Sequence, residues 1–170
     1  MAVDVTRFQE LFGSFPTMVS VVTAIDADGS PRGLTCNAVS AVSARPPLLL
    51  VCVDKRSHTL DALLTSGAFV VNVLADGGQQ AARVCAGRSE RKFAGLRWMP
   101  SAVAGGAPVL VDAVLAYAEC VVVQTVEAGD HWILIGRVEG AEVLPRSPVL
   151  YHQGEFEVWN PQARQVGSRP

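Results

Sequence analysis

A chain of 170 residues with 49% hydrophobic and 18% charged side chains is long enough for one buried core and too apolar for disorder. Its net charge of -2, without a basic block, gives nucleic acid or an anionic membrane nothing to attract. No apolar stretch reaches bilayer length and residues 1–12 hold no signal-peptide core, so a cytoplasmic protein without a membrane partner is expected.

In chain order, Thr6 and Gln9 form a capping-box pattern, and Phe8, Leu11 and Phe12 share one face of a short amphipathic helix ending before Gly13. Residues 18–24 are a β-branched strand, Asp28-Gly29 carries turn chemistry, and residues 32–36 return as the second arm of a hairpin. Residues 35–43 are small and hydroxylic, which lets a flat ligand approach the backbone and offers it hydrogen bonds. Pro46-Pro47 then punctuates, and residues 48–53 form a continuous apolar run, the pattern of a strand covered on both faces. Asp54-Lys55-Arg56-Ser57 follows, ahead of a helical pattern from His58 to Leu64. Two cations, a hydroxyl and a helix start make either a phosphate site or a surface turn with Ser57 as an ordinary N-cap.

Residues 69–74 are another strand, and residues 79–85 are helical after Gly77-Gly78. Residues 87–98 read as a polar loop with a helical turn, and residues 102–108 as a loop of small residues. Residues 109–126 carry a strand pair or one long bent strand, which Gly129-Asp130 turns into an alternating partner over residues 132–143. Residues 149–151 and 155–159 add a last edge. The stretch 161–170 has no periodicity and is expected to be a mobile tail, so residues 1–160 are expected to form the single domain.

Cys36, Cys52, Cys85 and Cys120 form no Cys-x-x-Cys pair, and His58, His131 and His152 are equally scattered, so no metal site is expected. The cysteines read as small buried hydrophobes, with Cys36 alone in a stretch that could meet a ligand, and His58 and His152 read as structural. Strands and helices do not alternate regularly and no Gly-x-Gly-x-x-Gly follows a first strand, which disfavours a doubly wound sheet. The expected fold is mainly β and antiparallel, a barrel that removes its own edges.

Five segments in fixed order carry a resemblance: Gly33 to Asn37, Pro46 to Cys52, Phe69 to Leu74, Lys92-Phe93-Ala94-Gly95, and Gly129-Asp130-His131 ahead of Ile133 to Val138. Together, from Phe8 to Trp159, they resemble the flavin reductase family, the small reductase components of two-component flavin monooxygenases. The resemblance implies a split β-barrel, antiparallel and Greek-key-like with a few short helices, and a homodimer with the flavin near the subunit interface. It implies an NAD(P)H-dependent flavin reductase that passes hydride from NADH, or NADPH, to FMN or FAD. The reduced flavin would go to a separate flavin-dependent monooxygenase. Such a reaction needs two aligned rings more than acid–base groups, and no Gly-x-Ser-x-Gly elbow, paired-carboxylate motif or phosphate loop is present.

By the same resemblance, Thr35, Cys36, Asn37, Ala38 and Val39 line the isoalloxazine edge, while Ser40, Asp54, Lys55, Arg56 and Ser57 hold the ribityl and phosphate end. Lys92 and Phe93 close over the flavin, and His131 contacts the nicotinamide. Local sequence alone also allows Asn37 as a turn residue, Lys92-Phe93 as a solvated loop pinned by one ring, and His131 as an exposed hairpin residue. Val39, Ala41 and Cys36 depart from the commoner family pattern of Phe, a hydroxyl residue, and Ala or Val. That leaves the choice among FMN, FAD and riboflavin open. The rival functions are a non-enzymatic flavin- or haem-binding split barrel and an oxidase of the pyridoxine-phosphate type.

Overall fold

The computed structural model describes residues 2–160, so the expected tail from residue 161 lies outside the described residues. The chain opens with α1 (Val5–Gly13), capped by the Asp4 carboxylate, which accepts from the Arg7 backbone N–H at 2.8 Å. The cap falls two residues before the Thr6 expected from the capping-box pattern; an ionised oxygen there also suits the positive end of the helix. None of α1 is buried, and Phe8, Phe12 and Phe15 pack on one another with ring centroids 4.7 and 5.8 Å apart.

β1 (Thr17–Met18) leads into the expected hairpin, β2 (Ser20–Ile25) and β3 (Pro31–Cys36), then β4 (Val39–Ala44) and β5 (Pro47–Asp54). α2 (Leu60–Ser66), β6 (Ala68–Leu74) and α3 (Gln79–Ala86) follow, and the helical turn Lys92–Gly95 interrupts the polar loop. β7 (Trp98–Pro100) and β8 (Pro108–Leu110) form a small hairpin-like sheet. β9 (Val114–Ala128) and β10 (His131–Val143) are the long pair, and β11 (Val149–His152) and β12 (Glu155–Val158) join β1 in a three-stranded sheet.

Seven strands form one antiparallel sheet in the order β3-β2-β6-β9-β10-β5-β4. Irregularities after Ile135 and Val138 in β10, and between Ala41 and Ser43 in β4, bend it into a barrel, as an extra residue on one strand sharpens local twist. Its two ends meet at one point. The Cys36 thiol at the end of β3 donates to the carbonyl of Cys52 on β5 at 3.5 Å and to that of Ala38 at 3.7 Å, while the Cys52 N–H donates to the Ala38 carbonyl at 3.0 Å as a further rung of the β4–β5 ladder. No ladder joins β3 to β4 or β5 among the described residues, so the barrel is split and keeps two edges, as the family resemblance implied, whereas the strand pattern alone suggested a barrel without edges.

The barrel interior is filled by Val22, Val51, Val53, Leu63, Phe69 and Leu134, all essentially inaccessible. Gly136 makes room for the Phe69 ring, because a Cβ there would sit 2.6 Å from Phe69 Cζ. β5 is covered on one face only: Val51 and Val53 point inward, while Leu48, Leu50 and Cys52 are half-buried on the outside. The uninterrupted apolar run therefore exceeds what one chain needs to cover.

Asn72 ties the main sheet to β8. It is fully buried, donates from Nδ2 to the carbonyls of Val21 and Pro108 at 3.1 and 3.2 Å, and accepts from the Leu110 N–H at 2.8 Å. Replacing Asn72 with Leu strands the Leu110 donor in a dry interior, while the Pro108 carbonyl keeps the Thr23 hydroxyl at 2.6 Å. Urea unfolding should show a loss of about 1–3 kcal/mol, the cost of one stranded buried donor. A loss below about 1 kcal/mol would mean that water reaches this junction.

Candidate active site

A cleft of about 260 Å³ opens beside the free edge of β3. Its floor is the β3 segment Pro31 to Thr35, one wall is the β5–α2 turn from Asp54 to Thr59, and the other is the end of α3 with the loop to Lys92. These walls are far apart in sequence, and the barrel's curl brings them together.

Two side chains fix α3 and its loop against the floor. The Thr35 hydroxyl donates to the Ala82 carbonyl at 2.6 Å, and the Lys92 ammonium donates to the carbonyls of Gly33 and Cys85, each at 2.9 Å. Burial lowers the Lys92 pKa from its ordinary value. Phe93 lies beneath, 7% exposed, with its ring edge-on to Trp98 at 6.1 Å. Gly33 permits this approach, since a Cβ there would lie 2.9 Å from Phe93 Cζ. Lys92 and Phe93 thus hold the loop down, the bland local reading of that segment, and Lys92 also lines the cleft.

On the opposite wall, Arg56 grips Asp54 through two side-chain contacts, Nη2 to Oδ2 at 2.7 Å and Nε to Oδ1 at 3.1 Å, and its backbone N–H adds a third at 2.7 Å. The Arg56 side chain, then its N–H, hold the Asp54 carboxyl far below the usual carboxylate range. With the folded value depressed, whatever the pair contributes to stability is present above the ordinary value of 3.8 and fades as pH falls below it. The Ser57 hydroxyl accepts from the Thr59 N–H at 3.3 Å, a turn contact that leaves its proton to donate elsewhere. Lys55 points away from the cleft and pairs with Glu127 on β9.

His131 begins β10 and stands directly opposite Asp54 in the β5–β10 ladder. One ring nitrogen, Nδ1, lies 2.7 Å from the Asp130 carboxylate, and the side chain is 42% exposed. A carboxylate on Nδ1 favours the tautomer with its proton there, leaving Nε2 as an acceptor toward solvent. His131 does not line the cleft itself; its cross-strand neighbour does.

Of the other expected ligand residues, Thr35 is on the cleft floor, while Asn37, Ala38, Val39 and Ser40 lie beyond it at the junction and on the edge strand β4. Asn37, Ala38 and Ser40 are exposed, and Asn37 donates to the Thr17 hydroxyl at 3.4 Å. The Cys36 thiol is turned into the barrel, so any ligand contact at that residue is left to its backbone. The sequence reading missed Arg32, His58, Arg88 and Glu90, which also line the cleft. The polar, cationic composition of residues 87–98 was visible; that the loop folds over β3 was not. His152, read as structural, reaches the Ser14 carbonyl at 3.3 Å.

The cleft thus gathers Arg32, Arg56, Arg88 and Lys92 against the carboxylates of Asp54 and Glu90, a net positive site suited to an anionic phosphate ester. It sits next to an exposed small-residue strand and a histidine. Residues 12–160 match the Flavin reductase like domain family along their whole extent. The chain belongs to the flavin reductase family. A Flavin reductase (NADH) of Kitasatospora aureofaciens is 43% identical over 92% of this chain and 83% of its own length. The HsaB reductase subunit of a flavin-dependent monooxygenase from Rhodococcus jostii is 38% identical over 91% of this chain and 78% of its own. The NADH:FAD oxidoreductase SgcE6 of Streptomyces globisporus, solved with NAD and FAD fragments, superposes with a TM-score of 0.86 at 35% identity, covering 96% of this chain and 99% of that one. This flavin reductase is an NAD(P)H-dependent enzyme with the split-barrel fold, and no helix among its described residues is long and apolar enough to cross a membrane.

Burial pushes the thiols of Cys36 and Cys85 up to about 11 and that of Cys120 up to about 12, so none forms thiolate near neutral pH. Iodoacetamide at pH 8, read by peptide mass spectrometry, should leave all three unmodified in the native flavin reductase and modify them in denaturant. Rapid native labelling of Cys36 would show that the β3–β5 junction opens.

Proposed function

We propose that a flavin binds with its phosphate on Arg56 and Ser57 and its isoalloxazine along residues 36–40, and that His131 positions the nicotinamide. The observation that carries this reading is the cationic cleft running up to Asp54, with His131 across the ladder on the neighbouring strand. When bound, the flavin supplies the redox chemistry, taking hydride from the reduced nicotinamide. The chain's own residues bind and align. Backbone N–H groups along residues 36–40 approach a flat ring closely because the side chains there are small, and they favour negative charge on it. The Ser57 hydroxyl and the Arg56 guanidinium donate to phosphate oxygens, Arg56 sharing itself with Asp54. Through Nε2, His131 accepts from an amide donor on the nicotinamide, its ring held by Asp130. Lys55, paired with Glu127, is left out of the phosphate site.

Assembly belongs to the same proposal. The outer face of the long strands carries Leu50 opposite Ile135, and Cys52 opposite Ile133, which in turn faces Val126. Leu50, Cys52, Ile133 and Ile135 are half-buried and Val126 is exposed, an apolar patch beside the isoalloxazine segment that a second copy would cover. A homodimer therefore completes the flavin site, built from a single domain that ends at residue 160. Reduced flavin leaves for a separate monooxygenase in the cytoplasm, a reading supported by the Rhodococcus relative, which is named the reductase subunit of a flavin-dependent monooxygenase.

The first test follows the NADH absorbance band with FMN or FAD added: steady turnover with the flavin in excess is expected, and a bound chromophore without turnover would favour a binding protein. A second separates the roles of His131. With His131→Ala, flavin Kd from fluorescence quenching should stay within about twofold, while kcat/KM for NADH falls roughly tenfold to a hundredfold, the scale of one or two polar contacts at about 1.4 kcal/mol per decade. Unchanged NADH kinetics would return His131 to a turn residue, and weakened flavin binding with normal NADH kinetics would place it on the flavin.

A further inference from the structure

Both proposed phosphate ligands hang on one residue. The Asp54 carboxylate accepts from the Arg56 backbone N–H at 2.7 Å and from the Arg56 side chain at Nε and Nη2, 3.1 and 2.7 Å away. The Asp54 carbonyl accepts from the Ser57 N–H at 2.9 Å, which closes the turn between them. Asp54 is also the last residue of β5 and stands opposite His131 in the β5–β10 ladder, and just beyond it the Lys55 N–H donates to the Asp130 carbonyl at 3.0 Å. We infer that Asp54 is a positioning residue: it ties the phosphate anchor Arg56 to the rung that carries His131, and so keeps a phosphate-bearing flavin in register with the nicotinamide. The inference rests on the flavin placement proposed above.

Charge rules out a direct role. An ionised carboxylate offers acceptors only and repels a phosphate, and the bonds from Arg56 keep Asp54 ionised at neutral pH. Its influence on a bound phosphate therefore passes through Arg56.

Arg56 needs such a holder. Its side chain is 81% exposed, so packing does not fix its long stem, whereas the Asp54 side chain is 32% exposed and stands on the ladder. Among the described residues the Arg56 guanidinium bonds to Asp54 alone. Nε and one N–H of Nη2 are taken up there, which leaves the Nη1–Nη2 edge to fork onto phosphate oxygens. An arginine free in solvent loses its rotamer freedom when the phosphate arrives; one already held by Asp54 has lost much of it on folding. The same carboxylate lowers the local positive charge, so position and charge act on a phosphate with opposite signs. That opposition makes the two effects separable.

The test measures Kd for FMN and riboflavin by fluorescence quenching, and kcat/KM for NADH at saturating flavin. The variants are Asp54→Asn and Asp54→Glu, each with Arg56 intact and in Arg56→Ala. Riboflavin has the ring and ribityl chain without the phosphate; Asn removes the charge, and Glu keeps it but moves it outward. With Arg56 intact, Asp54→Glu should weaken FMN about threefold to tenfold more than riboflavin, the cost of ordering one long side chain on binding. Asp54→Asn should weaken it in the same direction by less, since it also removes a repelling charge. In both, kcat/KM for NADH should fall about threefold or more further with FMN than with riboflavin, because a phosphate on a loose anchor no longer sets the ring against His131. In Arg56→Ala the same changes should no longer weaken FMN, and Asp54→Asn should tighten it. Tighter FMN in Asp54→Asn with Arg56 intact, or an unaltered FMN Kd in Asp54→Glu, makes the carboxylate a counter-charge only and overturns the inference. Equal losses for both flavins in both variants make Asp54 a support of the fold and overturn it too. If Arg56→Ala alone weakens FMN no more than riboflavin, the phosphate is not on Arg56, and the flavin placement falls together with the inference.

Discussion

The meeting of the sheet's two ends at Cys36, Ala38 and Cys52 is the constraint on which the rest depends. There one buried thiol at the end of β3 bonds to a β5 carbonyl, and an open seven-stranded sheet becomes a split barrel. Because β3 is drawn back toward β5 there, α3 and its loop come to face the β5–α2 turn across a gap the width of a ligand. A flat sheet of the same strands would leave Thr35, Arg56 and Lys92 on separate faces. Since the thiol is kept protonated by burial, it serves as a weak donor at the seam and has no part in the chemistry.

Labour is divided within this one end of the barrel. The rigid ladder between β5 and β10 sets the spacing of Asp54 and His131, while the loop from α3 supplies adjustable charge. Lys92 is spent on backbone carbonyls and Arg56 on Asp54, so the polar groups are held in place before any ligand arrives. Preorganised donors of this kind suit a reaction whose hydride transfer needs alignment of two rings and no side-chain base.

Much of this was legible in the sequence where periodicity is strong. The hairpin around Asp28-Gly29, the strand over residues 69–74 and the helix over residues 79–85 lie within a residue or two of their places in the fold, and the turn at Gly129-Asp130 joins the long pair, though the stretch 109–126 divides into the end of β8 and a β9 that begins only at Val114. The local reading stopped at long-range closure. Nothing in the pattern shows that Cys36 turns inward, that Lys55 answers Glu127 on β9, or that Arg88 comes back over β3. These depend on curl and bulges, which the period-two alternation does not encode. The apolar run from Leu48 to Val53 gave a subtler signal: it reads as a strand covered twice, whereas one chain covers it once, a surplus that the proposed second copy would cover.

In the proposed site the seam sets a phosphate-bearing flavin end-on in the cleft, with its ring along residues 36–40. A crystal structure of the protein with FMN tests it most directly. The phosphate should be found within hydrogen-bond distance of Arg56 and Ser57, and the isoalloxazine against Asn37 to Ser40 on the side of His131. A phosphate bound elsewhere, for instance in the smaller cleft beside Arg97 and Asp112, or a ring lying over Arg88, would contradict the account.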